Sequence, residues 1–162
     1  MCCLLLDCSA SMLRQRKLSL AKGLILQLAQ QIHQKRGQLA VIGFRGDQAS
    51  ILKHPNQLTS MNEHWIRSIQ GGGGTPLRQG IEAAERFLQR YLQQFPGLTV
   101  DCWLLTDGRF REIPEAPPGA SHYTVIDFED GRLRLARAQQ LAYRWHADYL
   151  RAADVLEMDE YV

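Results

Sequence analysis

Oxygen-bearing side chains are grouped in three short segments of this chain. The segments read Asp7-Cys-Ser-Ala-Ser11, Gly73-Gly-Thr-Pro76 and Leu104-Leu-Thr-Asp-Gly108. Their candidate donors are two carboxylates and three hydroxyls, namely Asp7, Ser9, Ser11, Thr75 and Asp107. Hard divalent cations such as Mg²⁺ prefer about six oxygen ligands and usually retain some water. The pattern therefore predicts one Mg²⁺ site, for which Mn²⁺ and Ca²⁺ are the alternative ions.

The charges of these donors indicate what such a site could do. Asp7 and Asp107 bring negative charge, whereas the three hydroxyls are neutral. A divalent ion would be balanced electrostatically and would still keep a coordination position for an outside oxygen. We expect that open position to be the point of function, and the sequence predicts no catalytic residue.

Apolar runs and amphipathic stretches predict the elements that position these donors. Strands are predicted at about 2–6, 39–44, 50–53, 100–105 and 122–126 and near 149, and helices at about 17–35, 62–69, 77–95 and 135–146. The alternation predicts an α/β fold of three layers, in which helices flank a doubly wound, mostly parallel sheet. Gly46-Asp47 predicts a hairpin turn. In such sheets ligands bind outside the carboxyl ends of the strands, where Asp7 and Asp107 both fall.

Composition limits the classes of function. The 162 residues fit a single domain, 1–162, with a proper hydrophobic core. Charged residues are interspersed and the net charge is only +2, which does not indicate a nucleic-acid partner. The cysteines form no Cys-x-x-Cys pair, and no apolar run approaches the ~20 residues of a membrane span. We therefore expect a cytoplasmic protein with reduced thiols and no membrane segment.

The order of the three segments resembles that of a known family. Asp-x-Ser-x-Ser, Gly-Gly-Thr-Pro and Thr-Asp-Gly are similar to the metal-ion-dependent adhesion site of the von Willebrand factor A domain, and the likeness covers nearly the whole chain. More narrowly, Ile42–Ala49 and Gly72–Leu77 with Gly80 resemble the carboxy-terminal A domain of the D subunit of magnesium chelatases and of its cobaltochelatase relatives.

The resemblance implies a function as well as a fold. In that family the ion binds a carboxylate from a partner protein, so the five donors above are implied as direct or water-mediated ligands. Chelatase D subunits work with an AAA+ ATPase ring and with a large catalytic subunit that inserts the metal into a porphyrin or corrin. The chain would be an adaptor without chemistry of its own in tetrapyrrole or cobalamin synthesis. Full D subunits carry an ATPase-like domain and an acidic linker before the A domain, so either an excised domain or a stand-alone relative is expected.

Several residues near the predicted strand ends could form the rim that meets a partner. They are Arg45, Asp47, Gly74, Arg109, Phe110 and Arg111. An exposed cluster of arginine and aromatic side chains is typical of interface anchors. The alternative for the last three residues is a solvated loop.

Other interpretations of the same residues stay open at this stage. Ser, Thr and Asp are also favoured at turns and helix starts, where they cap backbone groups. The glycine run is not followed by Gly-Lys-Ser/Thr, which argues against a phosphate-binding loop. Two alternatives to the chelatase adaptor are an A domain that serves another AAA+ ATPase and a metal-dependent phosphoester hydrolase.

Overall fold

A computed structural model of the chain describes residues 1–55 and 64–158. Its strands are β1 (Cys2–Asp7), β2 (Leu39–Arg45), β3 (Gln48–Lys53), β4 (Asp101–Thr106), β5 (His122–Asp127) and β6 (Asp148–Arg151). Its helices are α1 (Ala10–Leu13), α2 (Lys17–Gln34), α3 (His64–Arg67), α4 (Leu77–Gln94), α5 (Arg137–Arg144) and α6 (Ala152–Met158), with a 3₁₀ turn at Arg14–Arg16. The predicted α/β alternation is confirmed.

The strands form one sheet in the order β3-β2-β1-β4-β5-β6. Every neighbouring pair is parallel except β2 and β3, which form the antiparallel hairpin predicted at Gly46-Asp47. Strand β1 pairs with β2 on one side and with β4 on the other. The strand order therefore reverses between β1 and β4, which is where open α/β sheets bind their ligands.

Helices cover both faces of the sheet because the central strands are apolar on both sides. All six residues of β1 are buried. Leu4 and Leu6 pack into a core with apolar residues of α2, α3 and α6, whereas Leu5 packs into a core with α4 and α5. This arrangement gives the three layers that the sequence predicts.

Two helices were not predicted, and one begins later than expected. Both α1 and α6 are too short to show a clear 3.6-residue period. The predicted helix at 135–146 begins at Arg137, because the Glu129 carboxylate accepts the backbone N–H groups of Leu135 and Ala136 and the φ of Ala136 is +53°. The first residues of the predicted helix at 62–69 lie outside the described residues.

Two helical glycines differ in the space around them, which leads to a prediction. A Cβ on Gly80 of α4 would lie 2.7 Å from Cδ1 of Phe44, whereas a Cβ on Gly23 of α2 would meet nothing within 4 Å. We expect Gly80→Ala to lower the free energy of unfolding by about 1–3 kcal/mol through overpacking. Gly23→Ala is the matched control and should raise it by up to about 1 kcal/mol through helix propensity. Urea unfolding of both variants measures the difference, and equal effects would contradict it.

Candidate functional site

The two predicted carboxylates lie together at the switch point of the sheet. Asp7 is the last residue of β1 and Asp107 directly follows β4, its parallel neighbour. Both residues are 0% exposed. A buried charge is costly unless it is paired or coordinates a metal, so the surroundings of each carboxylate decide what the site can hold.

Asp7 is held by hydrogen bonds from neutral groups. The backbone N–H of Ser9 donates to Oδ1 at 2.9 Å, and the hydroxyl of Thr106 donates to Oδ2 at 2.7 Å. Burial raises the pKa of Asp7 to about 6, and the nearby Asp107 charge also raises it, while the bonds from Ser9 and Thr106 lower it. Thr106 was not singled out from the sequence as a site residue, yet it orients Asp7.

Serine hydroxyls link the first segment to Asp107. The Ser11 hydroxyl donates to Asp107 Oδ1 at 3.0 Å, and the oxygens of Ser9 and Ser11 lie 3.1 Å apart. The structure thus brings four of the five predicted ligands into one hydrogen-bonded cluster. Their donor atoms are all oxygens, which is the set that a hard divalent cation prefers.

The fifth predicted ligand, Thr75, reaches this edge through its loop. Gly72 N–H donates to the Cys8 carbonyl at 2.8 Å, and Ala10 N–H donates to the Gly73 carbonyl at 2.9 Å. The side chain of Thr75 is half-buried, and no hydrogen bond joins it to another described residue. Backbone contacts therefore place Thr75 near the cluster, while its hydroxyl stays unused there.

Glycine at position 73 is required for this docking. Its φ is +76°, and a Cβ would lie 2.8 Å from the Cα of Gly46 in the β2–β3 turn. Gly46 N–H in turn donates to the Gly74 carbonyl at 3.0 Å. A side chain at position 73 would push the glycine loop away from the hairpin and carry Thr75 with it.

Lys17 is a member of the site that sequence reasoning missed. It is 6% exposed, and its Nζ lies 3.4 Å from Asp107 Oδ2 and 2.8 Å from Asp130 Oδ1. Gln15 and Arg16 adopt left-handed backbone conformations immediately before it, so α2 begins at Lys17. A cation at the first position of a helix opposes the helix dipole. A lysine at this unfavourable helix position was the one sign in the sequence that Lys17 pairs with an acidic side chain elsewhere.

The predicted rim is present only in part. Arg45, Asp47, Gly74, Arg109 and Arg111 are exposed. Phe110 is 4% exposed and packs in the core beneath α4 and α5, so the expectation of an exposed aromatic anchor is wrong for this residue. Leu77 and Leu104 belong to the same core and explain why an apolar ring between two arginines turns inward. Arg14 and Arg16 are also exposed beside the site and were not predicted to belong to the rim.

Two grooves flank the cluster of donors. One, of about 660 Å³, lies between the β2–β3 hairpin and the glycine loop and is lined by Arg45, Asp47 and Trp65. The other, of about 580 Å³, lies between the start of α4 and the loop after β4 and is lined by Thr75, Arg109 and other residues of both segments. A chain that crosses this edge could enter either groove.

Among the residues that the structure describes, no three His, Cys, Asp or Glu side chains form a metal-binding group. A metal site at this edge would therefore depend on serine and threonine hydroxyls beside the two carboxylates. Within the same part of the chain, none of the helices has the length and apolar character needed to cross a lipid bilayer.

Comparison with known proteins defines the class. Residues 2–109 match the family of the von Willebrand factor type A domain, and the chain belongs to that family. The BatB protein of Bacteroides thetaiotaomicron has a crystal structure that superposes with a TM-score of 0.72 over 98% of each chain, at 18% identity. This likeness shows the shared fold, a six-stranded, mostly parallel sheet flanked by helices.

Two curated relatives are similar in sequence. An uncharacterized protein of Mycobacterium tuberculosis is 30% identical over 89% of this chain and 26% of its own length. The magnesium-chelatase 60 kDa subunit of Rhodobacter capsulatus is 35% identical over 57% of this chain and 16% of its own length. The predicted similarity to magnesium-chelatase subunits is confirmed over that part of the chain. The matched regions span about a quarter or less of each relative's own length.

Proposed function

We propose that the chain is a Mg²⁺-dependent protein-interaction module and not an enzyme by itself. Asp7, Ser9, Ser11, Thr75 and Asp107 would hold the ion, directly or through water, as in a metal-ion-dependent adhesion site. The observation that carries this proposal is the pair of fully buried carboxylates at the switch point, which are linked by hydrogen bonds through Ser9 and Ser11. The bound ion would supply a positive centre with an open position for a partner's carboxylate.

The partner that we propose is the AAA+ ATPase subunit of a magnesium- or cobalt-chelatase complex. The 35% identity to the magnesium-chelatase 60 kDa subunit over 57% of this chain supports this assignment. The large catalytic subunit of such a complex is a second proposed contact, and porphyrin or cobalamin synthesis is the proposed setting. The free state of all four buried cysteines supports the cytoplasm as the compartment.

The charge of the rim supports an acidic partner. The exposed arginines at this edge are Arg14, Arg16, Arg45, Arg109 and Arg111. Arg45 ends β2, and the others lie in the segments that follow β1 and β4, at the end of the sheet where the ion is proposed. Asp47 is the one acid among the predicted rim residues. Complementary charge of this kind steers association and fixes the orientation of the partner. An acidic loop of the ATPase would satisfy both the open coordination position and the arginines.

A binding experiment tests this proposal. We expect the domain to bind the chelatase AAA+ subunit in Mg²⁺, and EDTA or Asp107→Ala to weaken binding by at least about thirtyfold. Asp101→Ala is the matched control, because Asp101 is exposed at the opposite end of the same strand and should leave binding unchanged. Surface plasmon resonance measures both.

The outcomes separate the competing functions. Binding that survives EDTA would overturn the metal-dependent mechanism. If the domain binds an AAA+ protein of another system in a metal-dependent way and does not bind the chelatase subunit, the proposed partner is wrong and the proposed ion site is retained. Turnover of phosphoesters that Asp107→Ala abolishes would overturn the non-catalytic role.

A further inference from the structure

Lys17 places a positive charge inside the proposed ion site. Its ammonium contacts Asp107 Oδ2, while the Ser11 hydroxyl occupies Oδ1 of the same carboxylate. Both oxygens of Asp107 are therefore engaged by donors from the protein. Asp7 differs, because its partners are neutral N–H and O–H groups.

The charge balance of the site follows from these contacts. Asp7 and Asp107 together carry two negative charges when both are ionised, and the Lys17 ammonium, which Asp107 shares with Asp130, offsets part of that charge. A divalent cation that enters would meet less than the full charge of the two carboxylates, with the ammonium beside Asp107. Two cations that contact the same carboxylate repel each other even in water. The ligand set of the isolated domain is thus weaker than its two carboxylates suggest.

We propose that Lys17 makes ion binding conditional on the partner. The ammonium lowers the affinity of the isolated domain for a divalent cation, and the carboxylate supplied by the partner restores the missing negative charge. Ion and partner would then bind cooperatively, because each raises the affinity for the other. This inference rests on the proposed function and adds a residue that regulates it.

Asp130 adjusts how strongly Lys17 acts. Asp130 Oδ1 lies closer to the Lys17 Nζ than Asp107 Oδ2 does, at 2.8 Å against 3.4 Å. Asp130 follows Glu129, whose buried carboxylate is fixed by backbone N–H groups before α5. The loop after β5 therefore holds a second acceptor to which the ammonium can turn when an ion takes Asp107. Without Asp130, Asp107 would be the one acidic partner that Lys17 has among the described residues.

Mg²⁺ titration calorimetry on the purified domain, without any partner, tests the role of Lys17. We expect Lys17→Met to bind Mg²⁺ about tenfold or more tightly than the unaltered chain. Lys22→Met is the matched control from the same helix, because the Lys22 ammonium donates to the Ile69 carbonyl at 2.6 Å and does not touch the site. Its Mg²⁺ affinity should equal that of the unaltered chain. Equal or weaker binding by Lys17→Met would overturn the inference.

Two further variants complete the test. Asp130→Asn should weaken Mg²⁺ binding, and this effect should vanish in the Lys17→Met background if Asp130 acts through the ammonium. An effect that persists there would overturn the role of Asp130. Lys17→Gln replaces Lys17→Met if the methionine variant does not fold, with the same expected direction.

The same titrations distinguish this inference from the proposed function. If the unaltered chain binds Mg²⁺ and removal of Lys17 brings no gain, the ion site stands and only the inference fails. If neither chain binds Mg²⁺, and Mn²⁺ followed by electron paramagnetic resonance gives the same result, the ion site itself is overturned. If only the Lys17 variant binds Mg²⁺, the result supports both the proposed ion site and the inference about Lys17.

Discussion

Replacing Asp7 with asparagine is expected to stabilise the ligand-free domain at neutral pH and to abolish its Mg²⁺ binding. Burial raises the pKa of Asp7 from 3.8 to about 6, so the ionised carboxylate is unfavourable in the ligand-free fold. At 1.36 kcal/mol per pKa unit this difference corresponds to about 3 kcal/mol at pH 7. Asparagine keeps an acceptor for the Ser9 N–H but disturbs the bond from Thr106, which costs about 1 kcal/mol. The net gain should be about 1–2 kcal/mol.

The pH dependence has a definite sign. Because the folded pKa of Asp7 lies above its unfolded value, the folded state binds more protons than the unfolded state between pH 3.8 and about 6. The contribution of Asp7 to stability is therefore present below pH 3.8 and is lost as the pH rises through about 6. The advantage of Asp7→Asn should grow over the same interval and then stay constant. A difference between the variants that does not change with pH would contradict this assignment.

Urea unfolding in EDTA and in saturating Mg²⁺ measures both parts of the effect. An ion that binds only the folded state adds about 2.7 kcal/mol of stability at one hundred times its dissociation constant. The unaltered chain should gain this increment and Asp7→Asn should not, so the order of stability reverses when Mg²⁺ is added. Equal gains in both chains would show that Asp7 is not a ligand.

The fold could be predicted because its signals are local. The apolar runs of β1 and β4 can be identified from their own sequences, because strands whose residues are buried on both faces are continuously apolar. The helical period of the apolar residues in α4 is likewise clear over 18 residues. The donors could be predicted for the same reason. Asp7 and Asp107 end apolar runs, and the carboxyl ends of parallel strands meet at one edge whatever the intervening sequence.

Other features of the site depend on contacts between distant segments. Lys17 meets Asp107 across 90 residues of chain, and no local pattern specifies that pairing. Phe110 follows the loop that carries Asp107, and that position suggested an exposed side chain. Its ring instead packs in the core beneath α4 and α5. Whether a side chain faces solvent or core in an irregular loop is decided by its neighbours in space, and periodicity gives no guidance there.

Replacing Asp107 with asparagine is expected to destabilise the domain, in contrast to the same change at Asp7. Asp107 is the partner of a buried ammonium, whereas the described groups that donate to Asp7, the Ser9 N–H and the Thr106 hydroxyl, are neutral. Removing the charge leaves Lys17, whose side chain is 8% exposed, with Asp130 as its acidic partner. A buried charge that loses one of its partners costs about 1–3 kcal/mol. Two carboxylates of one site should thus respond to the same substitution with opposite signs.

A double variant separates this explanation from general damage to the site. If Asp107→Asn destabilises the domain because the Lys17 ammonium loses a partner, adding Lys17→Met should recover part of the lost stability. The apolar methionine side chain needs no acidic partner. The measurement is the free energy of urea unfolding in EDTA for the unaltered chain, the two single variants and the double variant, which together form a double-mutant cycle. A double variant less stable than Asp107→Asn alone would show that Lys17 contributes through packing. Mg²⁺ binding should be lost in every chain that lacks Asp107, so the stability effect and the ligand effect are read separately.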